Sequence, residues 1–378
     1  MYTILYCHNH NQISGGETSL LELFRTLDRR RFRPILAAPE QGPFPDAVRA
    51  LDIEVIAVEY SPLHRLDRLC LTALRLQRLA RQHGAVLLHA SGPVTNIPAA
   101  LAARLAGLPV VWHARNLIIP GEIDLDHYLA PLASLIIANS DAIRERFRGK
   151  HGLTAKSLTI INGVDVARFH PAVASAAVRQ QYGFGSQHIV AGIVGRIAPI
   201  KGHHIFTEAA AMLLPSCPAL RCLIIGAGLF PGEQEYEAQL RAAVAQQGLE
   251  DRIIFTGYQR DVRAYTAALD ICVVPSDAEP CGRVLFEAMA MAKPVIGTNT
   301  GGTPEVVEDG KTGLLIPPCD AKALAAALEH LMGDAELRRR MGAAGRRRVE
   351  THFTIEAHAR RTEEAYARLL ALTSTTSS

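Results

Sequence analysis

The sequence predicts an α/β protein made of two doubly wound, parallel-sheet domains, and three observations carry that prediction. Short apolar runs alternate with longer helical patterns along the whole chain. The runs are apolar at successive positions, as strands buried on both faces require. With 378 residues, the chain is long enough for two domains, each with a full-sized core.

The first series of strands is read at TILYC (3–7), RPILAA (33–38), EVIAV (54–58), AVLLHA (85–90), PVVWHA (109–114) and SLIIAN (134–139). The second is HIVAGIVG (188–195), RCLIIG (221–226), RIIFTG (252–257), ICVVP (271–275), PVIGT (294–298) and GLLIP (313–317). Helical patterns fill the gaps at 17–27, 66–82, 95–106, 203–214, 233–247, 283–292 and 320–332. The turn-rich segment LTIINGVDVARFHPA (158–172) separates the two series and places a hinge near 165–172. The domains expected are therefore 1–167 and 168–353, followed by a helix in 354–372 and a polar, disordered tail at 373–378. In such sheets a ligand sits at the carboxyl ends of the strands.

Composition narrows the function. A net charge of +3 gives no nucleic-acid footprint. The seven cysteines form no C-x-x-C pair and no zinc-ligand spacing, so they read as reduced core thiols. No apolar run reaches the ~20 residues of a membrane span, and the N-terminus lacks a basic leader. The expected location is cytoplasmic.

The stretch EPCGRVLFEAMA (279–290) carries the strongest chemical signal. Glu279 precedes Pro280, which biases it to an extended backbone ahead of a helix. Glu287 lies eight positions later, inside that helix. Eight helical residues rise about 12 Å, whereas carboxylates flanking one glycosidic bond sit ~5–9.5 Å apart. The pair suits an elongated ligand with hydroxyls at each end and an anion between. The anion would rest on the N–H groups of Gly282, Arg283 and Val284 at the helix start. Solvated glutamates flanking an ordinary helix are the alternative.

Three further stretches add candidates. In GRIAPIKG (195–202), Arg196 and Lys201 lie in one loop after a buried strand, and both suit phosphate oxygens. In SGGETSLLEL (14–23), a Gly-Gly turn opens a helix; a plain tight turn explains it equally well. In VVWHARN (110–116), His113 sits just past a strand, where a structural histidine is the rival reading. DLD (124–126) imitates a metal-binding pair, but EIDLDHY reads as an acidic helix N-terminus. GAGLFPG (226–232) lacks the glycine spacing and downstream acid of a dinucleotide loop.

Through these motifs the sequence resembles the retaining glycosyltransferases of family GT4, which have the GT-B fold of two Rossmann-like domains facing across a cleft. The likeness also includes IIANSDA (136–142), INGVD (161–165), GAG (226–228), FTG (255–257) and GGTPE (301–305), so it spans nearly the whole chain. It implies that Gly16 meets the donor diphosphate, that Arg196 and Lys201 neutralise it, that Glu279 holds donor-sugar hydroxyls, and that Glu287 holds the ribose. His113 would contact the sugar near the reacting carbon. The donor would be a UDP-, GDP- or ADP-sugar and no metal would be needed. The acceptor would be a saccharide or lipid-linked hydroxyl in cell-surface polysaccharide, lipopolysaccharide or glycolipid synthesis. Cys281 stands where the family often has an aromatic or small residue, which bears on the fit of the donor sugar. Two rivals share the plan: a nucleotide-sugar epimerase and a non-catalytic nucleotide-sugar-binding subunit. The basic, leucine-rich stretch 64–82 is open to peripheral contact with an anionic membrane at its inner face, or to plain packing on the sheet.

Overall fold

The computed structural model describes residues 1–118, 123–149 and 152–375. The chain forms two compact units: Met1–Gly163 together with the segment from Ile355 onward, and Val164–Thr354.

The first unit holds seven strands: β1 (Tyr2–Cys7), β2 (Phe32–Ala38), β3 (Glu54–Ala57), β4 (Ala85–Ala90), β5 (Val110–Ala114), β6 (Leu135–Ala138) and β7 (Ser157–Thr159). All pairings are parallel, in the order β3-β2-β1-β4-β5-β6-β7. Successive residues of a strand face opposite sides. Leu5, Leu88 and Trp112 accordingly enter one core layer, while Ile4, Tyr6, Leu87 and Val111 enter the other. β7 is a strand that the sequence reading assigned to the turn-rich linker; three residues are too few for an apolar pattern to show.

The second unit repeats the plan with β8 (Ile189–Val194), β9 (Leu220–Ile225), β10 (Ile253–Gly257), β11 (Ile271–Val274), β12 (Val295–Thr298) and β13 (Gly313–Ile316). Their order is β10-β9-β8-β11-β12-β13, again all parallel. Chain connections from β8 run first to one side of the sheet and then return on the other, so the β8/β11 boundary is the topological switch point. The carboxyl ends of those two strands are where ligands bind in open α/β sheets.

The chain leaves the first unit at Gly163, ahead of the hinge expected at 165–172. Val164 already donates its N–H to the Phe353 carbonyl at 2.9 Å, which ties it to the second unit. The terminal helix runs Ile355–Thr375, past the expected end at 372 and into the segment read as a disordered tail; residues 376–378 lie outside the described residues. Its Tyr366 is fully buried in the core layer beneath β1. Glu363 accepts the Asp28 N–H at 2.8 Å, and His358 Nδ1 lies 3.0 Å from the Ile161 carbonyl.

The helix Arg283–Ala290 stops two residues before the expected 292, because Ala292 turns the chain in a left-handed conformation at φ 54°. A helix absent from the sequence reading, Ala335–His352, braces it. Gly342 lies so close to the Ala292 carbonyl that a Cβ would stand 2.0 Å from its oxygen. Gly342→Ala would gain about 1 kcal/mol of helix propensity. It would lose about 1–3 kcal/mol to overpacking, because the obstacle is backbone and cannot rotate away. Urea denaturation should show a net loss for Gly342→Ala and none for Gly333→Ala, where nothing stands within 4 Å.

Candidate functional site

Two loops meet at the switch point of the second unit. The loop after β8 carries Arg196, turns through Pro199–Lys201, and enters the helix His203–Leu213 at Gly202. Gly202 adopts φ +70°, and a Cβ there would stand 2.0 Å from the Pro275 carbonyl oxygen. Only glycine therefore lets this loop lie against the end of β11. A backbone bond from Asp277 N–H to the Ile200 carbonyl at 3.0 Å joins the two loops. From the other side, Gly226 of the GAG stretch packs against Gly195, where a Cβ would stand 1.9 Å from the carbonyl oxygen. Those glycines thus serve close backbone approach.

The side chains complete the junction. Lys201 Nζ donates to Glu279 Oε2 at 2.6 Å, and Ser276 Oγ donates to the same oxygen at 3.1 Å. Glu279 is buried, and its backbone is fixed from behind: Gly302 N–H donates to its carbonyl at 2.8 Å. Gly301, at φ +56°, leaves room for that carbonyl where a Cβ would stand 2.3 Å away. Thr298 and Thr300 hydroxyls hold the carbonyls of Ser276 and Asp277 at 2.7 and 2.9 Å.

Gly282 opens the helix Arg283–Ala290, and no side chain caps that start. The N–H groups of the first turn, including that of Val284, lack intrahelical acceptors and carry the positive end of the helix dipole. One turn in, buried Glu287 accepts from Arg283 Nη2 at 3.2 Å. Arg196 pairs with Glu233 at the start of the helix Pro231–Gln246, with its guanidinium 5.4 Å from the Phe230 ring centroid. Sequence reasoning missed Glu233, which lies far from Arg196 along the chain. It also missed the Arg283–Glu287 pair, visible only as an i,i+4 spacing. Two cation–carboxylate pairs, Lys201–Glu279 and Arg283–Glu287, therefore lie at the helix start, and a third, Arg196–Glu233, lies on the loop that carries Lys201.

In the first unit, Gly16 lies in the first turn of the helix Gly15–Thr26, and its carbonyl accepts from Arg115 Nη1 at 2.8 Å. Behind that turn, Glu17 accepts from the Ser14 N–H at 2.9 Å and from His8 Nε2 at 2.8 Å. Burial opposes its charge, but the His8 and Ser14 hydrogen bonds outweigh burial and hold the carboxyl down at about 2. His113 is the penultimate residue of β5, paired with Ile137 inside the sheet and not just past the strand as expected, and it is fully buried. Its Nδ1 stands 3.2 Å from Arg115 Nη2 and 3.2 Å from His89 Nε2. Burial, then the Arg115 charge, pushes His113 well below the usual histidine range and His89 down to about 3. The DLD stretch is a helix start: Asp124 accepts the His127 N–H at 2.9 Å and is bound by Arg146. Among the described residues no cluster of three metal-ligating side chains occurs.

Comparison with known proteins adds identity. A profile of group 1 glycosyl transferases matches residues 175–348, and one of glycosyltransferase family 4 matches residues 13–168. The lipopolysaccharide core biosynthesis mannosyltransferase LpsB of Rhizobium meliloti (strain 1021) is 29% identical over 350 residues, which cover 84% of this chain and 98% of that protein. A D-inositol 3-phosphate glycosyltransferase of Nocardia farcinica (strain IFM 10152) is 38% identical over 185 residues, 48% of this chain and 40% of that protein. Among solved structures, Anabaena HepE in complex with UDP and glucose matches with a TM-score of 0.85 and 27% identity, over 96% of this chain and 99% of that one.

The buried imidazoles make a stability prediction. His89 and His203 are held at about 3 and about 4, chiefly by burial, below the ordinary 6.5. The unfolded chain therefore binds more protons than the folded one between about pH 6.5 and these values, and stability falls as pH drops through that window. Each contributes a loss of about 2 kcal/mol at pH 5 relative to pH 7. Urea midpoints at the two pH values should differ accordingly, and equal midpoints would contradict neutral burial.

Proposed function

The chain belongs to glycosyltransferase family 4, and from that premise we propose that its donor is a nucleoside-diphosphate sugar whose diphosphate rests at the start of the helix Arg283–Ala290. The chain is a glycosyltransferase of the two-Rossmann GT-B fold. The observation that carries the donor reading is the Lys201–Glu279 pair, which joins the loops after β8 and β11 at the switch point beside an uncapped helix start.

In this reading Lys201, Arg196 and the N–H groups of Gly282, Arg283 and Val284 receive the diphosphate. Glu279 takes donor-sugar hydroxyls and Glu287 the ribose. Gly16 and His113 of the first unit serve the diphosphate and the sugar. Breaking the sugar–phosphate bond places negative charge on the leaving diphosphate and positive charge on the sugar. Cations and helix-end N–H groups fixed in place stabilise that distribution more than the ground state. Arg196 reaches phosphate by exchanging its Glu233 partner, a carboxylate for another anion of similar geometry. Charge neutralisation falls to these side chains, so the reading assigns no metal. Glu279 is engaged by Lys201 and Ser276, which suits it to holding hydroxyls more than to attacking the sugar carbon. Attack from the same face as departure would then retain configuration.

HepE was crystallised with UDP and glucose, and LpsB is named for lipopolysaccharide core synthesis. The first supports a nucleotide-sugar donor, in this reading a UDP-, GDP- or ADP-sugar, and the second a saccharide or lipid-linked acceptor in cell-surface polymer synthesis. Relatives named as transferases, among them a mannosyltransferase and a kanosaminyltransferase, support transfer over the epimerase and non-catalytic alternatives.

A membrane-side location draws on the helix Leu66–Gln82. It buries Leu69, Leu76 and Ala80 but exposes Leu66, Leu71 and Leu74 among Arg68, Arg75 and Arg78. Among the described residues no helix is long and apolar enough to cross a membrane. A basic face with exposed leucines suits peripheral contact with anionic lipid at the inner face. Sedimentation with vesicles should occur with anionic lipid and fail with neutral lipid; equal behaviour would remove the contact.

Arg196→Ala and Lys201→Ala should each reduce sugar transfer by about 10²–10³-fold, with far-UV circular dichroism unchanged. Near-normal turnover in both would remove the leaving-group site. Glu287→Gln should weaken UDP binding about tenfold, measured by calorimetry, with little change in turnover at saturating donor.

A further inference from the structure

Behind His113 lies a hydrogen-bonded row that runs to the terminal helix. Tyr6 Oη is 3.1 Å from Tyr366 Oη, and Tyr366 Oη is 2.5 Å from His89 Nδ1. His89 Nε2 is 3.2 Å from His113 Nδ1, which also lies 3.2 Å from Arg115 Nη2. Tyr6, His89, His113 and Tyr366 are all buried to 3% exposure or less. Among the described residues, buried His113 Nε2 has no hydrogen-bond partner.

Such a row can be ordered in two directions. Every member is both donor and acceptor, except that a guanidinium only donates and does not deprotonate. Arg115 therefore requires a lone pair at His113 Nδ1, which puts the His113 proton on Nε2. His89 Nε2 must then donate to that same lone pair, so His89 Nδ1 accepts from the Tyr366 hydroxyl, and Tyr366 accepts from Tyr6. The opposite order would set two N–H groups of Arg115 and His113 against each other. It would leave the His113 Nε2 lone pair outermost.

We propose that Arg115 is a positioning residue that orders the Tyr6–Tyr366–His89–His113 row, so that His113 presents an Nε2–H donor to a donor-sugar hydroxyl and cannot act there as a base. This inference rests on the reading above that His113 meets the sugar. It adds the protonation state in which His113 does so, and it makes the terminal helix, through Tyr366, part of the arrangement. The Nε2–H at the end of this row, buried and without a hydrogen-bond partner among the described residues, is the feature that calls for a ligand acceptor.

The test uses full-length protein labelled with ¹⁵N-histidine. In the ligand-free wild type, NMR should show His113 as the Nε2–H tautomer. Arg115→Met removes the fixed donor, so His113 should shift to Nδ1–H. Turnover should fall about tenfold with the donor KM within about twofold, as expected for loss of one hydrogen bond made in the transition state. Arg115→Lys, which keeps a cationic donor, should retain the wild-type tautomer and most of the turnover. An Nδ1–H tautomer in the wild type, or an unchanged tautomer in Arg115→Met, overturns the proposal; because Arg115 also holds the Gly16 carbonyl, the tautomer and not turnover alone is the deciding readout. A tautomer that reverses while turnover stays normal also overturns it, and removes His113 from the sugar. The Arg196→Ala and Lys201→Ala results would stand apart from that outcome.

Discussion

The contact between Lys201 and Glu279 organises the edge of the second unit at its topological switch point. It joins loops from two neighbouring strands, β8 and β11, whose chain connections diverge to opposite sides of the sheet. Without such a tie, each loop would be held only at its own strand end. Removing either partner would leave the other charge with poor solvation, since Glu279 is buried and Lys201 about one-third exposed. A buried pair of this kind adds little net stability but penalises alternative arrangements. Its value here is geometric: it sets a cation and a carboxylate beside a helix start that no side chain caps.

The pair works because the backbone beneath it is packed unusually closely. Gly202 against Pro275, Gly226 against Gly195, and Gly301 against Glu279 are three places where a Cβ would overlap a carbonyl oxygen. Each brings one strand-end loop within backbone distance of its neighbour. The helix Arg283–Ala290 is seated by the same device, through Gly342 against Ala292. Short connections between rigid elements leave few torsions to order when a ligand arrives, so less conformational entropy opposes binding. The ion pairs of Arg196, Lys201 and Arg283 keep the edge near neutral, and the proposed diphosphate would exchange for carboxylate contacts that already exist.

Much of this was legible from residues alone, for identifiable reasons. Strands buried on both faces print unbroken apolar runs, so twelve of the thirteen strands among the described residues were visible in place; β7, with three residues, was not. Pro280 and Gly282 before Arg283, and Pro294 after it, bracketed the helix that carries Glu287. The partners of the candidate residues were hidden. Arg196 and Glu233 are separated by 37 positions, Lys201 and Glu279 by 78, and His89 and Tyr366 by 277. No local pattern encodes such distances. The brace helix Ala335–His352 escaped notice because six arginines and two glycines blur its apolar stripe. Those same glycines are what allow it to pack so closely.

The proposed roles of these residues converge on one place for an anionic diphosphate. The direct measurement is a crystal structure of the protein soaked with uridine diphosphate. The account predicts diphosphate oxygens ~2.7–3.2 Å from the N–H groups at the start of the helix Arg283–Ala290 and from the Lys201 ammonium, with the ribose hydroxyls at Glu287. A diphosphate bound elsewhere, with that helix start and Lys201 still facing solvent or Glu279 alone, would contradict it.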